Sequence, residues 1–229
     1  MGKPEGAVKY TGPWSYSKLR DFEDCKAMFK RRHIEKLPEA ESEALTHGSA
    51  VHVAIERWLK GWYKPKEKKG LEAMMGQMLP DFEKLKKLDV VTEQMWAHDA
   101  KWKPMENGYD KAAWVRARTD GHLVHDDVAT VFDWKTGRPK PVNTDQLRFY
   151  GVLTLVRNAQ VQEVNLELWY VDHNKIIHGH MARSDLANAQ KEFKRRTTRI
   201  YNEARWPEEP GMPCRWCPFR KAVGGPCSF

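Results

Sequence analysis

The sequence lacks the features of a membrane or exported protein. Its 229 residues contain no apolar run long enough to cross a bilayer, and the first residues are polar and glycine-rich, unlike a signal peptide. We therefore expect a cytoplasmic protein with no membrane partner. The motif Gly-xxxx-Gly-Lys-Ser/Thr is also missing, so the chain is not expected to unwind duplex DNA by itself.

Cysteine is scarce, and its four positions are unevenly spread: Cys25 near the start, then Cys214, Cys217 and Cys227. A chain of this length needs no disulfide staples, so without an export signal we expect a metal site rather than disulfides. Thiolates at Cys-x-x-Cys spacing bind either zinc or an iron–sulfur cluster. A zinc ribbon normally has two local Cys-x-x-Cys pairs, whereas the fourth cysteine here is far upstream.

Negative charge is under-represented, with 31 acidic against 39 basic residues and a formal net charge of +8. A basic surface favours a polyanionic partner, and nucleic acid is the natural candidate. A predicted basic helix over residues 185–204 carries part of this charge. Such a run is usually a solvated face, but it would also suit a phosphate backbone.

The middle of the chain has the pattern of a β-hairpin with acidic and basic side chains. Strands are predicted over 114–124 and 129–135, joined by a polar turn. Side chains alternate across a strand, so Asp133 and Lys135 share one face while Trp134 points to the other, and antiparallel pairing brings Asp120 close. Carboxylates and a lysine suit Mg²⁺- or Mn²⁺-dependent phosphodiester hydrolysis. An ordinary ion pair on an edge strand is the alternative interpretation.

Three further elements carry polar residues at regular spacing. His52 lies in an apolar helix, and Glu56 is one turn later, where it would orient the imidazole. Gln146 and Tyr150 are four residues apart, so they share a helix face. Glu93 lies on a predicted strand over 90–96, where a supporting role and an ordinary surface carboxylate are equally compatible with the sequence.

Taken together, the segments Gly48-Ser49-Ala50-Val51-His52, Asp120, Asp133-Trp134-Lys135 and Gln146-xxx-Tyr150 resemble the PD-(D/E)XK nucleases, specifically the RecB-type exonucleases. The resemblance implies an α/β fold with a restriction-endonuclease-like core, a central mixed β-sheet flanked by helices. It implies a lysine acting on the attacking water, and strand-positioning residues on the Gln-xxx-Tyr helix, to which Arg148 adds positive charge. The implied metal ligands are His52, Asp120, Asp133 and the backbone carbonyl of Trp134.

One cysteine in the first helix and three at the C-terminus are similar to the iron–sulfur branch of these nucleases. That branch includes the AddB-type subunit and the CRISPR-associated RecB-like exonucleases, some from phages. The resemblance implies a 4Fe-4S cluster on Cys25, Cys214, Cys217 and Cys227, joining the two chain ends. The proline expected after the first cysteine is replaced by Lys26, and zinc is the alternative.

We thus expect a single nuclease domain over residues 1–229, with a first helix at 14–35, a core at 44–183, a basic helix at 184–205 and a cysteine-rich tail at 206–229. The expected activity is exonucleolytic cleavage of single-stranded or frayed DNA in recombination, repair or end processing, in a bacterial, archaeal or phage-infected cell. A recombination or CRISPR-type protein is the expected partner. A DNA-binding module of this fold without catalysis is the alternative function.

Overall fold

A computed structural model describes residues 8–39, 42–139 and 144–229. The chain divides into two compact units. One comprises Met1–Ala40 together with Lys191–Phe229, and the other comprises Glu41–Gln190. The family resemblance predicts a single domain over the whole length, and that remains a prediction.

The larger unit contains a six-stranded mixed sheet with the order β2-β1-β3-β4-β5-β6. Neighbouring strands are antiparallel except β4 and β5, which are parallel and are connected through a helix. The predicted α/β class with a central mixed sheet is confirmed. The strands are β1 (Val91–His98), β2 (Pro104–Met105), β3 (Val115–His125), β4 (Val128–Lys135), β5 (Glu163–Tyr170) and β6 (Lys175–Ala182).

Helices accompany the sheet and form the other unit. The larger unit contains α3 (Glu43–Leu59), α4 (Lys68–Met75), α5 (Leu79–Leu85) and α6 (Thr144–Arg157). The smaller unit contains α1 (Tyr16–Asp24) and α2 (Lys26–Phe29). Helix α7 (Leu186–Asn202) crosses the boundary between the units at Gln190. No helix among the described residues is long and apolar enough to span a membrane. Helix α3, the apolar helix of His52, begins at Glu43, because the Ser42 side chain accepts a hydrogen bond from Leu45 N and caps it there.

Strand alternation places helices on both faces of the sheet. Phe132 and Trp134 of β4 and Trp169 of β5 join the buried residues of α3, α4 and α5 in one core cluster. On the opposite face, α6 approaches β5 and β6 closely. A Cβ on Gly151 would meet Met181 Sδ at 2.7 Å, and a Cβ on Gly179 would meet Leu147 at 3.1 Å. The two glycines therefore allow α6 to pack directly on the sheet.

The smaller unit is built from the two ends of the chain. Leu19, Phe22 and Phe29 are buried, as their helical spacing predicts. Phe29 stacks on Trp206, with ring centroids 5.4 Å apart. Lys26 Nζ lies 2.8 Å from Glu209 Oε1, so the residue in place of the expected proline forms an ion pair between segments more than 180 residues apart.

Two histidines are buried in the sheet of the larger unit. His98 is fully buried, and neither ring nitrogen has a hydrogen-bond partner among the described residues. His122 packs against Trp96, with centroids 4.9 Å apart, and the Arg157 guanidinium lies 5.3 Å from the Trp96 ring. Burial, reinforced by the charge of Arg157, lowers the pKa of each histidine to about 4. Both side chains are therefore neutral at pH 7.

Candidate active site

The site lies where the β3–β4 ladder ends. Gly121 pairs with Phe132, so Asp120 and Asp133 are the next residues on the two strands. Trp134 N donates a hydrogen bond to Asp120 Oδ2 over 2.8 Å. This hydrogen bond satisfies the backbone donor of β4 and fixes the Asp120 carboxylate. The other carboxylate oxygen, Oδ1, faces the site.

Helix α3 brings His52 to the same place. Its Nε2 lies 3.0 Å from the carbonyl oxygen of Trp134, while Nδ1 lies 3.4 Å from Asp120 Oδ1 and 3.8 Å from Glu93 Oε1. Burial alone would lower the pKa of His52, but the two carboxylates outweigh it and raise the pKa to about 10. The site is therefore strongly electronegative and attracts a cation.

Ligand atoms of His52, Glu93 and Asp120 lie within 4.8 Å of one another, which makes this trio a candidate metal site. Imidazole nitrogen and carboxylate oxygens are suitable ligands for Mn²⁺ and Mg²⁺. Asp133, which the resemblance implies as a further ligand, lies outside this group, and its buried Oδ2 is next to Lys135 Nζ. The residues present thus fit a divalent cation, and PD-(D/E)XK nucleases use such cations.

Glu93 is the residue that sequence reasoning left open. Thr92 pairs with Gly121 and Gln94 with Thr119, so Glu93 lies opposite Asp120 in the β1–β3 register. Its backbone has φ of +55°, a conformation that costs energy for a residue with a side chain. The register that brings it to the site depends on strand pairing over about 27 residues, for which the local sequence has no signal.

Asp133 and Lys135 form a buried pair beside the trio. Lys135 Nζ lies 2.5 Å from Asp133 Oδ2, and Asp133 is only 2% exposed. Burial raises the pKa of Asp133 to about 6 although Lys135 opposes the shift. Burial would lower the pKa of Lys135, but the Asp133 carboxylate outweighs it and raises that pKa. The predicted shared face of the two side chains agrees with this geometry.

The Gln146 and Tyr150 side chains of α6 lie at the Asp133–Lys135 pair, on the face of the sheet that α6 covers. Gln146 Nε2 donates to Asp133 Oδ1 over 3.0 Å and lies 3.4 Å from the Tyr150 hydroxyl, which donates to Arg118 O over 3.3 Å. Tyr150 is 8% exposed. Arg148 lies on a different face of α6, because residues two apart on a helix point in nearly opposite directions. Contact of these three residues with DNA remains a prediction.

A pocket of about 460 Å³ opens beside the trio and is wide enough for part of a nucleotide chain. Arg118 Nε lies 2.6 Å from Glu93 Oε2 in its wall. Glu56 also lines the pocket but pairs with Lys60 Nζ at 2.6 Å, whereas the ring nitrogens of His52 face Trp134, Asp120 and Glu93. The expectation that Glu56 orients His52 is therefore wrong, because the lysine one turn later captures its carboxylate.

The four cysteines lie in the smaller unit and line one enclosed pocket together with Met28 and Arg31. Burial and the three other thiols raise the pKa of Cys217. Among the described residues, no three cysteine sulfurs lie within 4.8 Å of one another, so the thiols do not form a compact ligand group like that of His52.

Comparison with known proteins supports the nuclease resemblance. The family model of the PD-(D/E)XK nuclease superfamily matches residues 13–222. No curated protein matches the sequence significantly. Two crystal structures are similar. A proposed exonuclease from Eubacterium rectale has a TM-score of 0.51 at 13% identity and covers 82% of this chain and 80% of its own. The protein SSO0001 has a TM-score of 0.47 at 13% identity and covers 97% and 90%.

At this identity the structural likeness bears on the fold alone, whereas the family model covers most of the chain and all of the candidate metal group. The match includes the helix of His52, the β3–β4 hairpin and the helix of Gln146. Membership in a nuclease superfamily implies DNA as the substrate class, and it accounts for an electronegative, cation-attracting site in a basic protein. The chain belongs to the PD-(D/E)XK nuclease superfamily.

Proposed function

We propose that this protein is a Mg²⁺- or Mn²⁺-dependent DNA exonuclease. The observation that carries the proposal is the convergence of His52, Glu93 and Asp120 beside the buried Asp133–Lys135 pair. A cation-binding group and an ammonium next to an open pocket are the parts that phosphodiester hydrolysis requires.

His52, Asp120 and Glu93 would hold the cation, and the family resemblance, which implies His52 and Asp120, also implies Asp133 and the Trp134 carbonyl as ligands. When bound, the cation would lower the pKa of a water molecule and stabilise negative charge on the phosphate. The protein supplies the arrangement: Trp134 N fixes Asp120, and Gln146 fixes Asp133 through its Oδ1. Gln146 and Tyr150 are thus positioning residues as well as candidate strand contacts.

Lys135 would act directly on the reaction. Its ammonium is held against Asp133 and is still 34% exposed to solvent. In that position it can orient the attacking water, exchange a proton with it, or neutralise charge that develops on the phosphate.

We propose single-stranded or frayed DNA ends as the substrate, because a chain without a P-loop motif cannot open a duplex with ATP. Recombination, repair or end processing is the proposed setting, with a recombination or CRISPR-type protein as a partner that would supply unwound DNA. A DNA-binding module without catalysis is the competing function, and the intact set of His52, Asp120, Asp133 and Lys135 argues against it.

The experiment is digestion of end-labelled single-stranded and double-stranded DNA and of circular single-stranded DNA. We expect loss of mononucleotides or short products from linear single strands with Mn²⁺ or Mg²⁺, and no cleavage with chelator. Rapid cleavage of the circle would contradict the exonuclease assignment. Binding without cleavage under all metal conditions would favour the silent module.

We also propose that Cys25, Cys214, Cys217 and Cys227 bind a 4Fe-4S cluster that joins the chain ends. The shared pocket of the four residues supports a common ligand. Zinc bound by the same four thiolates is the alternative.

Anaerobically purified protein is therefore expected to be brown, with broad absorption near ~400 nm from thiolate-bound iron, and to contain iron and sulfide. Replacing Cys227 with serine should remove most of that absorption, whereas replacing the exposed Ser228 with alanine should leave it unchanged. A colourless protein containing stoichiometric zinc would show that the alternative metal is correct.

A further inference from the structure

Trp62 is a large aromatic residue left on the surface just after helix α3. It is 63% exposed, and Lys60 Nζ lies 4.4 Å from the centre of its ring. The neighbouring aromatic residues, by contrast, pack against each other. Trp58 is 2% exposed and stacks face to face with Tyr63, with ring centroids 5.2 Å apart. Trp62 therefore contributes little to the core, and its ring is accessible from solvent, with Lys60 Nζ over one face.

The surface around Trp62 is continuous with the candidate active site. Glu56 lines the site pocket together with His52, and Lys60 Nζ connects the Glu56 carboxylate at 2.6 Å to the Trp62 ring at 4.4 Å. Along α3, Lys60 is eight residues beyond His52, which is about 12 Å at 1.5 Å per residue. A strand leaving the pocket along this helix would reach Trp62 within a few nucleotides.

The charge of this segment matches a nucleic-acid strand. Residues 57–69 contain six basic side chains, Arg57, Lys60, Lys64, Lys66, Lys68 and Lys69, against one acidic side chain, Glu67. Lysines interleaved with an exposed aromatic ring are the combination that single-stranded nucleic acid recognises, because phosphates pair with the cations and a base stacks on the ring. A peptide partner would not need this excess of positive charge.

We propose that Trp62 is a stacking residue for a nucleobase of single-stranded DNA, a few nucleotides from the phosphate held at His52, with Lys60 contacting the adjacent phosphate. The proposal rests on the proposed nuclease function and assigns the path of its substrate. Trp62 acts in binding alone, so its effect depends on substrate length. A substrate too short to reach beyond the pocket does not sense it.

The test compares the parent protein with Trp62→Ala and Trp62→Phe. Binding of a fluorescent oligodeoxythymidine of twelve nucleotides is measured with EDTA present, so that hydrolysis does not interfere. We expect Trp62→Ala to weaken binding roughly 5- to 100-fold, the range typical of one base stacked on an aromatic ring. Trp62→Phe should stay within about threefold of the parent, because phenylalanine retains a stacking face.

Two further measurements separate this role from a general one. Hydrolysis of the p-nitrophenyl ester of thymidine monophosphate with Mn²⁺ should be unchanged in Trp62→Ala, since this ester occupies the pocket alone. Replacing Lys60 with glutamine should reduce the slope of log Kd against log salt by about 0.7, the value for one phosphate of a single strand.

Tyr109→Ala is the matched control, because Tyr109 is 68% exposed in the same unit. Binding by Trp62→Ala as tight as that of the parent, or an equal loss in Tyr109→Ala, would overturn the proposal. A parent protein that cleaves neither substrate but loses oligonucleotide binding in Trp62→Ala would overturn the nuclease function and leave the stacking role in place.

Discussion

Replacing Lys135 with alanine is expected to lower kcat for DNA hydrolysis by about 10²- to 10⁴-fold, the range for loss of a residue that acts on the proton or charge of the reaction. The Lys135 ammonium is the cation next to Asp133, with Nζ 2.5 Å from Asp133 Oδ2. Mn²⁺ affinity, measured by calorimetry, should change little, because lysine is not a metal ligand. End-labelled single-stranded DNA with Mn²⁺ gives the activity.

Two companion variants make the result interpretable. Lys135→Arg keeps the charge but cannot give up a proton, because the guanidinium pKa lies far above neutral pH. Recovery of activity in Lys135→Arg would therefore indicate charge neutralisation rather than proton transfer. Lys101→Ala changes an exposed lysine of the same unit and should retain full activity.

Stability must be checked in parallel, because removing one partner of a buried pair leaves the other uncompensated. Asp133 can respond by taking up a proton, since burial already raises its pKa to about 6. Thermal unfolding of Lys135→Ala and Lys135→Gln distinguishes loss of chemistry from loss of structure. Folded variants with undiminished cleavage would remove Lys135 from the active site.

Acidification from pH 6.5 to pH 4 is expected to destabilise the folded protein through His98 and His122. Burial, reinforced by Arg157, lowers the pKa of both side chains to about 4 in the folded state. Because the unfolded chain has ordinary histidine pKa values, it binds more protons than the folded protein between about pH 6.5 and 4. The free energy of unfolding therefore falls as pH falls through this window, and each histidine contributes up to roughly 3 kcal/mol at its lower end.

Replacing His98 with phenylalanine isolates this contribution. Neither ring nitrogen of His98 has a hydrogen-bond partner among the described residues, so an apolar ring should be tolerated at neutral pH. The free energy of unfolding, from urea titrations at several pH values, should then depend less on pH. Asp133 opposes the trend, because its raised pKa favours the folded state on acidification, but it is common to both proteins.

Replacing the surface residue His125 with glutamine serves as the control, since its side chain is 84% exposed. That variant should keep the pH dependence of the parent. Identical pH profiles for the parent and His98→Phe would mean that His98 is not held neutral by burial.

Much of the candidate site could be predicted from sequence because its signals are local. The Asp-x-Lys triplet defines one face of β4 by the two-residue period of a strand, and the four-residue spacing of Gln146 and Tyr150 defines one face of a helix. The short turn after β3 fixes the hairpin that brings Asp120 to Asp133. These features depend on spacing within a few residues, and the structure agrees with each.

Glu93 and Glu56 show where such reasoning ends. Glu56 is one helical turn from His52, and Glu93 lies on a predicted strand. In the structure Glu93 joins His52 and Asp120, while Glu56 pairs with Lys60. Glu93 reaches the site through the register of β1 and β3, which follows from packing of the whole sheet, whereas Glu56 pairs with a lysine one helical turn away. The same holds for His98 and His122, whose burial is a property of the folded sheet rather than of their segments.

The sequence by itself determined the superfamily, the class of fold and most of the polar residues that the site uses, because strand and helix periods are encoded in adjacent residues. Tertiary structure decided the place of Glu93 in the metal group, the neutral state of the buried histidines and the exposure of Trp62 beside the pocket. Those properties arise from contacts between distant segments, whose free energy depends on how the complete core packs.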